Sequence, residues 1–295
     1  MLDPFKNNLL LLHHCRGIGW KGIAAILRLD PQLLHLQETS PTDWSRILYS
    51  HTSVQLNHFL SDLRSIDVEQ LSHQYARHNI QILTIFDPEY PLQLKQIFQP
   101  PWILYIKGKS DLLQEPKILG VVGPRKPSIY AKDTIDCLLP PLIRKGYVIA
   151  SGLASGVDRF AHLSAIENEG KTIGVLAGGL CHIYPKENVP LALEMMGNQL
   201  VISETPPFHK AQPYMFPLRN RIISGLSGGV VVVEAKERSG SLITAQLALE
   251  QGREVYAVPG TILGVYSVGT HKLIQEGAKL VYQAKDIEDE FVSFT

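Results

Sequence analysis

The chain has 295 residues, of which 45% are hydrophobic and 19% charged, a composition typical of a globular protein of about two domains. Its 28 lysines and arginines balance 28 aspartates and glutamates, giving a formal net charge of zero. This balance excludes a protein that attracts a polyanion through its overall field. A binding site for nucleic acid would therefore have to be a local patch.

The N-terminal segment and the cysteines exclude further classes of protein. The apolar run Leu9–Leu12 is too short for the core of a signal peptide or for a membrane span. Cys15, Cys137 and Cys181 lie far apart and lack the paired spacing of a zinc site or a disulfide framework. We expect a cytoplasmic protein with no membrane contact and no bound metal.

The sequence pattern of residues 1–75 predicts that they form a small, all-helical N-terminal domain. Apolar residues recur at helical spacing on both sides of Gly17-Ile18-Gly19, and the two glycines mark a tight turn. This pattern resembles a helix-hairpin-helix or SAM-like module, whose turn amides can hold a DNA phosphate. A plain helical hairpin accounts for the same residues, so both alternatives stay open.

Residues 76–295 predict an α/β domain. Short β-rich runs alternate here with helical stretches, and the runs are ILTIF, WILYI, KILGVVG, GYVIA, TIGVLAGG, LVISE, GVVVVEA and EVYAVPG. The runs are continuously apolar, as is required of strands covered by helices on both faces. The sequence therefore predicts a doubly wound, mostly parallel sheet.

The loops that follow the strands are the candidate site, because open parallel sheets bind ligands beyond the carboxyl ends of their strands. After KILGVV, Gly123 permits a sharp turn, and Arg125 and Lys126 follow where a helix start favours an anion. A conventional turn with solvated cations is the alternative. No complete G-x-G-x-x-G is present, so we expect no dinucleotide cofactor.

Two further loops carry polar residues of similar kinds. Ser151 and Gly152 follow GYVIA, and Lys186 and Asn188 lie in a loop after TIGVLAGG that also contains an aromatic residue. Cations, amides and aromatic rings are the groups that hold a sugar-phosphate chain and stack on bases. These loops predict contacts to a nucleic-acid strand.

The arginines of the segment FPLRNRII cannot share one ligand. Arg219 and Arg221 lie about 200° apart around a helix, so one is expected to face the cleft while the other pairs inward with Glu204 or Glu234. The sequence does not decide which arginine takes which role.

The strand-like run GVVVVEA also leads through a turn, Ser239-Gly240-Ser241, into a predicted helix. The amides and hydroxyls of this turn predict an anion cradle. A helix that is simply well capped by serine is the alternative.

Candidate catalytic residues are few. Asp158 and His162 lie four residues apart on one helix face, but Ser155 and Asp158 form a capping-box pattern and His162 fits a packed histidine. Cys181 and His182 are adjacent and therefore point apart. We predict that the protein has no catalytic residue and is not an enzyme.

Taken together, the segments around these turns resemble the sequence motifs of the DNA-processing protein A (DprA/Smf) family. The resemblance covers about residues 80–282 and rests on the order and spacing of VVGPRKP, SGLASGVDRFAH, GKTIGVLAGGL, YPKEN, FPLRNRIISGLS, SGSLITAQLALEQGREVYAVPG and SVGTHKLIQEGA. It implies an extended Rossmann-like core that binds single-stranded DNA. It also implies a homodimer that protects incoming DNA and loads RecA recombinase during natural transformation and homologous recombination.

The resemblance carries the DNA contacts over to matching positions. It implies that Arg125, Lys126, Lys186 and Asn188 contact DNA and that Ser151, Gly152, Arg219, Asn220 and Arg221 line the same face. Together with Gly123, Ser239, Gly240 and Ser241 of the glycine turns described above, these residues form the predicted DNA-binding site. Pro124 departs from the family's usual Ser or Thr and removes one amide and one hydroxyl from the first loop. The late segment EGAKLVYQ is the expected dimer surface.

A second family suggests an enzyme as the alternative. The cytokinin-activating phosphoribohydrolases (LOG proteins) resemble the same core and bind a nucleotide phosphate in corresponding loops. Their P-G-G-x-G-T-x-x-E signature is absent, because ERSGSLITA lacks a glutamate on the first helical turn. This departure argues against glycosidic hydrolysis.

Overall fold

The computed structural model describes residues 3–49, 51–291 and 293. The chain forms two compact units. The first comprises Met1–Ile85 and Pro101–Ile103, and the second comprises Phe86–Pro100 and Leu104–Thr295. Within the described residues, none of the helices combines the length and apolar character needed to cross a membrane.

The first unit is helical, as the sequence predicts. Its elements are α1 (Pro4–His14), α2 (Trp20–Leu29), α3 (Pro41–Ile47), α4 (Ser53–Ser65), α5 (Val68–Arg77) and the strand β1 (Gln81–Thr84). The helices end near the predicted domain limit at residue 75, and the unit itself continues through β1.

The predicted turn Gly17-Ile18-Gly19 joins α1 to α2. Gly17 has a φ of +85°, a left-handed conformation that favours glycine. Asp62 of α4 accepts hydrogen bonds from Nε and Nη2 of Arg16 at 2.8 and 2.7 Å. This bidentate ion pair ties the start of the turn to α4.

The second unit alternates strands with helices. Its strands are β2 (Ile103–Gly108), β3 (Ile118–Val122), β4 (Val148–Ser151), β5 (Lys171–Leu176), β6 (Leu200–Ser203), β7 (Gly229–Val232), β8 (Glu254–Ala257) and β9 (Lys279–Leu280). Its helices are α6 (Leu92–Lys95), α7 (Ile129–Arg144), α8 (Val157–Glu167), α9 (Val189–Asn198), α10 (Met215–Leu226), α11 (Gly240–Glu250), α12 (Val268–Gln275) and α13 (Ala284–Glu288). Every β-rich run predicted from the sequence contains a strand.

The strands of the second unit lie in the order β2-β6-β5-β4-β3-β7-β8-β9. All neighbours from β6 to β9 are parallel, whereas β2 is antiparallel to β6, with Tyr105 opposite Ser203. The predicted α/β class with a mostly parallel, Rossmann-like sheet is therefore confirmed. The parallel part of the sheet begins at β3 and extends in one direction through β4 and β5 to β6 and in the other through β7 and β8 to β9.

Both faces of the sheet are covered by helices, which explains the continuous apolar strands. On one face, Leu119 and Val121 of β3 pack with residues of α7 and α8, such as Leu139 and Ala161, in the hydrophobic core. On the other, α10 and α11 pack against each other while α10 contacts β3 and α11 contacts β7. The carboxyl ends of the parallel strands therefore meet at one edge, where their loops lie side by side.

Candidate functional site

The candidate site lies at this carboxyl edge, where β3 separates β4 from β7. The strand order reverses there, and such a reversal is the position at which open α/β sheets bind ligands. Among the depressions at this edge, two larger ones adjoin each other. One, of about 330 Å³, is called here the switch-point pocket, and the other, of about 760 Å³, is called the groove. Arg125 and Phe216 line both.

The two depressions have different walls. The switch-point pocket is lined by Gly123, Arg125, Arg219, Asn220, Lys236, Ser239, Gly240, Ser241 and Thr244, together with apolar residues and Asp158. The groove is lined by Arg125, His182, Tyr184, Lys186, Lys210 and Phe216, together with Ile183, Ala211, Pro213 and Pro217. Most of the residues predicted from the loops therefore converge on one edge.

Arg125 stands at the boundary between the pocket and the groove. Its side chain is exposed, and the guanidinium carbon lies 4.9 Å from the centre of the Phe216 ring. Tyr184 meets the same ring edge-on, with ring centres 6.0 Å apart and an interplanar angle of 71°. A cation over an aromatic face is held by the negative charge of that face, so Phe216 fixes the position of Arg125.

Arg219 is buried beneath this surface. Its Nη1 donates hydrogen bonds to the carbonyl oxygens of Gly152 and Val175, and its Nε donates to Oδ1 of Asn220 at 3.1 Å. Burial lowers the pKa of Arg219 to about 10, with the charge of Asp158 opposing this shift and the charge of Arg125 adding to it, so the group stays protonated at neutral pH. One guanidinium therefore connects α10 to the ends of β4 and β5.

The geometry around Arg219 depends on a glycine. A Cβ atom at Gly152 would lie 2.1 Å from Nη1 of Arg219, so only glycine leaves room for the guanidinium. The Gly152 amide donates to Oδ2 of Asp158 at 3.1 Å, and the Ala154 amide donates to the same oxygen at 3.3 Å. The loop after β4 is thus held by Arg219 through a backbone carbonyl and by Asp158 through two backbone amides.

Asp158 and His162, the candidate acid-base pair, are both engaged within the protein. Burial raises the pKa of Asp158, and the positive charge of Arg219 opposes that rise. His162 is fully buried, and its Nδ1 lies 2.7 Å from Oγ1 of Thr172. Burial also lowers the pKa of His162 to about 3, so it stays neutral at pH 7. His162 lines neither the pocket nor the groove, whereas Asp158 lines the switch-point pocket with its Oδ2 already accepting two backbone amides.

Arg221 takes the inward-pairing role that the sequence left undecided. Its Nη2 forms an ion pair with Oε2 of Glu204 at 2.5 Å. The other candidate partner, Glu234, accepts hydrogen bonds from the backbone amide and the hydroxyl of Ser128 in the loop after β3. Arg221 lines neither the pocket nor the groove.

Two other residues of the predicted site have buried side chains. Ser151 Oγ donates to the carbonyl of Val121 at 2.6 Å. Asn188 donates to the carbonyl of Leu153 at 2.8 Å and accepts from Nη1 of Arg159 at 2.9 Å. Both side chains therefore connect the loops to each other, and neither lines the pocket or the groove.

The start of α11 forms one wall of the switch-point pocket. The hydroxyls of Ser239 and Ser241 are 2.6 Å apart, and Asn220 Nδ2 donates to the Gly240 carbonyl at 3.5 Å. The side chain of the N-cap residue Ser239 makes no capping hydrogen bond to the first turn of α11. Gly123 packs closely at the opposite wall, because a Cβ there would lie 2.5 Å from Val157.

The exposed cations make this edge locally positive although the chain is neutral overall. In residues 3–49, 51–291 and 293, no ion pair involves Arg125, Lys126, Lys186 or Lys210. The neighbouring acid Glu187 accepts a hydrogen bond from Ser155. The arrangement suits an anionic ligand with more than one charge.

Sequence reasoning overlooked Phe216 and Lys210 as site residues, whereas it noted the aromatic ring of Tyr184 in the predicted nucleic-acid loop without assigning it a contact of its own. Phe216 was interpreted only as part of a helix start, although it supports both Arg125 and Tyr184. Lys210 comes from the loop after β6, which contains no glycine turn to mark it.

Comparisons with known proteins agree with this geometry. The family model described as DNA recombination-mediator protein A matches residues 81–292. DNA processing protein DprA of Bacillus subtilis is 50% identical over 216 residues, which are 73% of each chain. DNA processing protein DprA of Streptococcus pneumoniae is 44% identical over 233 residues, which are 79% of this chain and 81% of that one.

Two solved structures are similar as well. The crystal structure of DNA processing protein A from Streptococcus pneumoniae superposes with a TM-score of 0.85 at 39% identity, covering 97% of this chain and 98% of that one. The structure that describes the single-stranded DNA binding mode of DNA processing protein A from Helicobacter pylori has a TM-score of 0.64 at 30% identity. It covers 71% of this chain and 94% of the other.

Removal of Arg219 is expected to destabilise the second unit strongly. Arg219→Met would leave two buried carbonyls without their donor and Asp158 without its opposing charge, and should lower the free energy of unfolding by about 3–5 kcal/mol in urea denaturation. Arg238→Met, a control at an exposed arginine, should change it by less than about 0.5 kcal/mol. A loss below about 1 kcal/mol for Arg219→Met would contradict the structural role.

Proposed function

The chain belongs to the DNA recombination-mediator protein A family, and from that premise we propose that it binds single-stranded DNA in the groove and the switch-point pocket. The observation that carries the proposal is the position of Arg125, an exposed guanidinium held over Phe216 where the two depressions meet. The Helicobacter pylori relative, whose structure describes a single-stranded DNA binding mode, supports the choice of ligand.

The predicted site residues divide into contacts and supports in this proposal. Arg125, Lys126 and Lys186 contact phosphates, and Lys210 joins them from the far side of the groove. Gly123, Asn220, Ser239, Gly240 and Ser241 offer amides and hydroxyls to the same backbone within the switch-point pocket. Ser151, Gly152, Asn188, Arg219 and Arg221 hold the loops in place through the buried contacts described above.

Binding strength should depend on Arg125 more than on Lys126. A guanidinium makes two parallel bonds to a phosphate, whereas an ammonium acts as a point charge. Arg125→Ala should therefore weaken binding of a fluorescent single-stranded oligonucleotide more than Lys126→Ala, as measured by anisotropy. Each variant should also reduce the magnitude of the slope of log K against log salt by about 0.7, because that is the change expected when one phosphate contact to a single strand is lost.

The control for these variants is Arg144→Ala. Arg144 is an exposed arginine at the end of α7, at the opposite edge of the sheet, and its removal should leave both affinity and salt slope unchanged. A folded Arg125→Ala protein that binds with the parent's affinity and slope would refute the assignment of the site.

We further propose that the protein is not an enzyme. Asp158 and His162 are held by internal hydrogen bonds, and burial raises the pKa of the Cys181 thiol, which disfavours the nucleophilic thiolate. Incubation with AMP should therefore release no adenine above the buffer control, as measured by chromatography. Release of adenine that disappears in Asp158→Ala would establish the phosphoribohydrolase alternative instead.

A homodimer is proposed through the segment that includes β9. This strand is the last in the order β2 to β9; its residue Leu280 is 40% exposed, and Tyr282 just after it is 71% exposed. An open strand edge with apolar neighbours is a surface suited to self-association. Light scattering at micromolar concentration should give twice the 32.9 kDa chain mass, and Leu280→Glu should shift it towards the monomer. A monomer at all concentrations would contradict this.

In the cell, we propose that the protein protects incoming single strands in the cytoplasm and loads RecA recombinase onto them during transformation and homologous recombination. Family membership and the three free cysteines, which suit a reducing compartment, support this role. The protein should increase the rate at which RecA forms filaments on DNA coated with a single-strand-binding protein. Arg125→Ala should not increase this rate. If the variant increases it as much as the parent protein does, RecA loading does not depend on this site.

A further inference from the structure

The groove contains an aromatic ring that faces solvent. Tyr184 is 55% exposed although tyrosine is a large and partly apolar residue, and it lies among the groove residues. Its ring is supported edge-on by Phe216, one face of which is covered by the Arg125 guanidinium. Phe216 thus serves as a support, while the ring surface of Tyr184 stays open to a ligand.

The residues around Tyr184 match one kind of ligand. Lys186 and Lys210 line the same groove, and Ile183, Pro213 and Pro217 add apolar surface between the cations. Such a groove fits a chain with a charged backbone and flat apolar side groups. A DNA duplex offers phosphates to the cations, but its base faces are stacked inside and do not reach a tyrosine ring.

We propose that Tyr184 is a base-stacking platform that makes the groove selective for unpaired bases, while the cations set the affinity for the backbone. The inference rests on the proposed single-stranded DNA binding and adds the residue that distinguishes a single strand from a duplex. Stacking uses the face of the base, which every base possesses, so this selectivity is independent of nucleotide sequence.

The test compares three DNA probes of equal length by anisotropy: a normal single strand, a single strand with abasic sites, and a duplex. Stacking on one aromatic residue corresponds to about a five- to hundredfold gain in affinity. The parent protein should bind the normal strand more tightly than the abasic strand by about this factor. Tyr184→Ala should lose that preference and the preference over duplex, with an unchanged salt slope, whereas Tyr184→Phe should keep both.

Two controls make the outcome specific. Tyr214→Ala removes a tyrosine that is 63% exposed but does not line the groove, and it should bind all three probes like the parent. Lys186→Ala should weaken binding of the normal and abasic strands alike and lower the salt slope.

Different failures would overturn different proposals. If the parent protein binds no single strand, the proposed function itself fails. If it binds the normal and abasic strands equally, or if Tyr184→Ala weakens both equally, only the stacking platform is refuted. Equal losses in Tyr184→Ala and Tyr214→Ala would also refute it.

Discussion

The site depends on one buried guanidinium. Arg219 donates to carbonyls at the ends of β4 and β5 while its own backbone belongs to α10, so three elements meet at a single side chain. A buried charge of this kind is tolerated only when its hydrogen bonds are satisfied and an opposing charge is near. Asp158 supplies that charge and also accepts the amides of Gly152 and Ala154. The loop after β4 is thereby fixed on both sides beneath the exposed residues.

The positive charge at the surface of the site also depends on which cations are buried and which are exposed. Arg221 is neutralised by Glu204, and the buried Arg219 lies close to Asp158, so neither arginine contributes much field at the surface. Arg125, Lys126 and Lys186 are exposed at loops where no acid pairs with them among the described residues. A chain with a formal net charge of zero can therefore present a cationic edge. Whole-molecule charge is a poor guide to such a site, because the pairing of individual side chains decides the local potential.

Much of the fold could be predicted from the sequence, because continuous apolar runs separated by glycine turns indicate buried parallel strands. The placement of loops at one sheet edge followed from the same pattern. The orientation of single side chains did not. Helical periodicity shows that Arg219 and Arg221 point apart, but the partners that hold each of them inward, Val175 of β5 and Glu204 just after β6, are far away in sequence. For the same reason Asn188 was expected at the surface and lies buried, with its partners in the loop after β4 and in α8.

The hydrogen bonds of this edge join parts of the chain that are synthesised at different times. Ser128 is tied to Glu234 across 106 positions, and Arg219 is tied to Gly152 across 67. During translation, the cations of the first loop leave the ribosome long before β7 and α11 exist to complete the surface around them. A nascent chain therefore carries the charges without the site that arranges them. The surface is complete only after β7 and the start of α11 have been synthesised, and its contacts of long sequence separation form slowly because each must close a long loop.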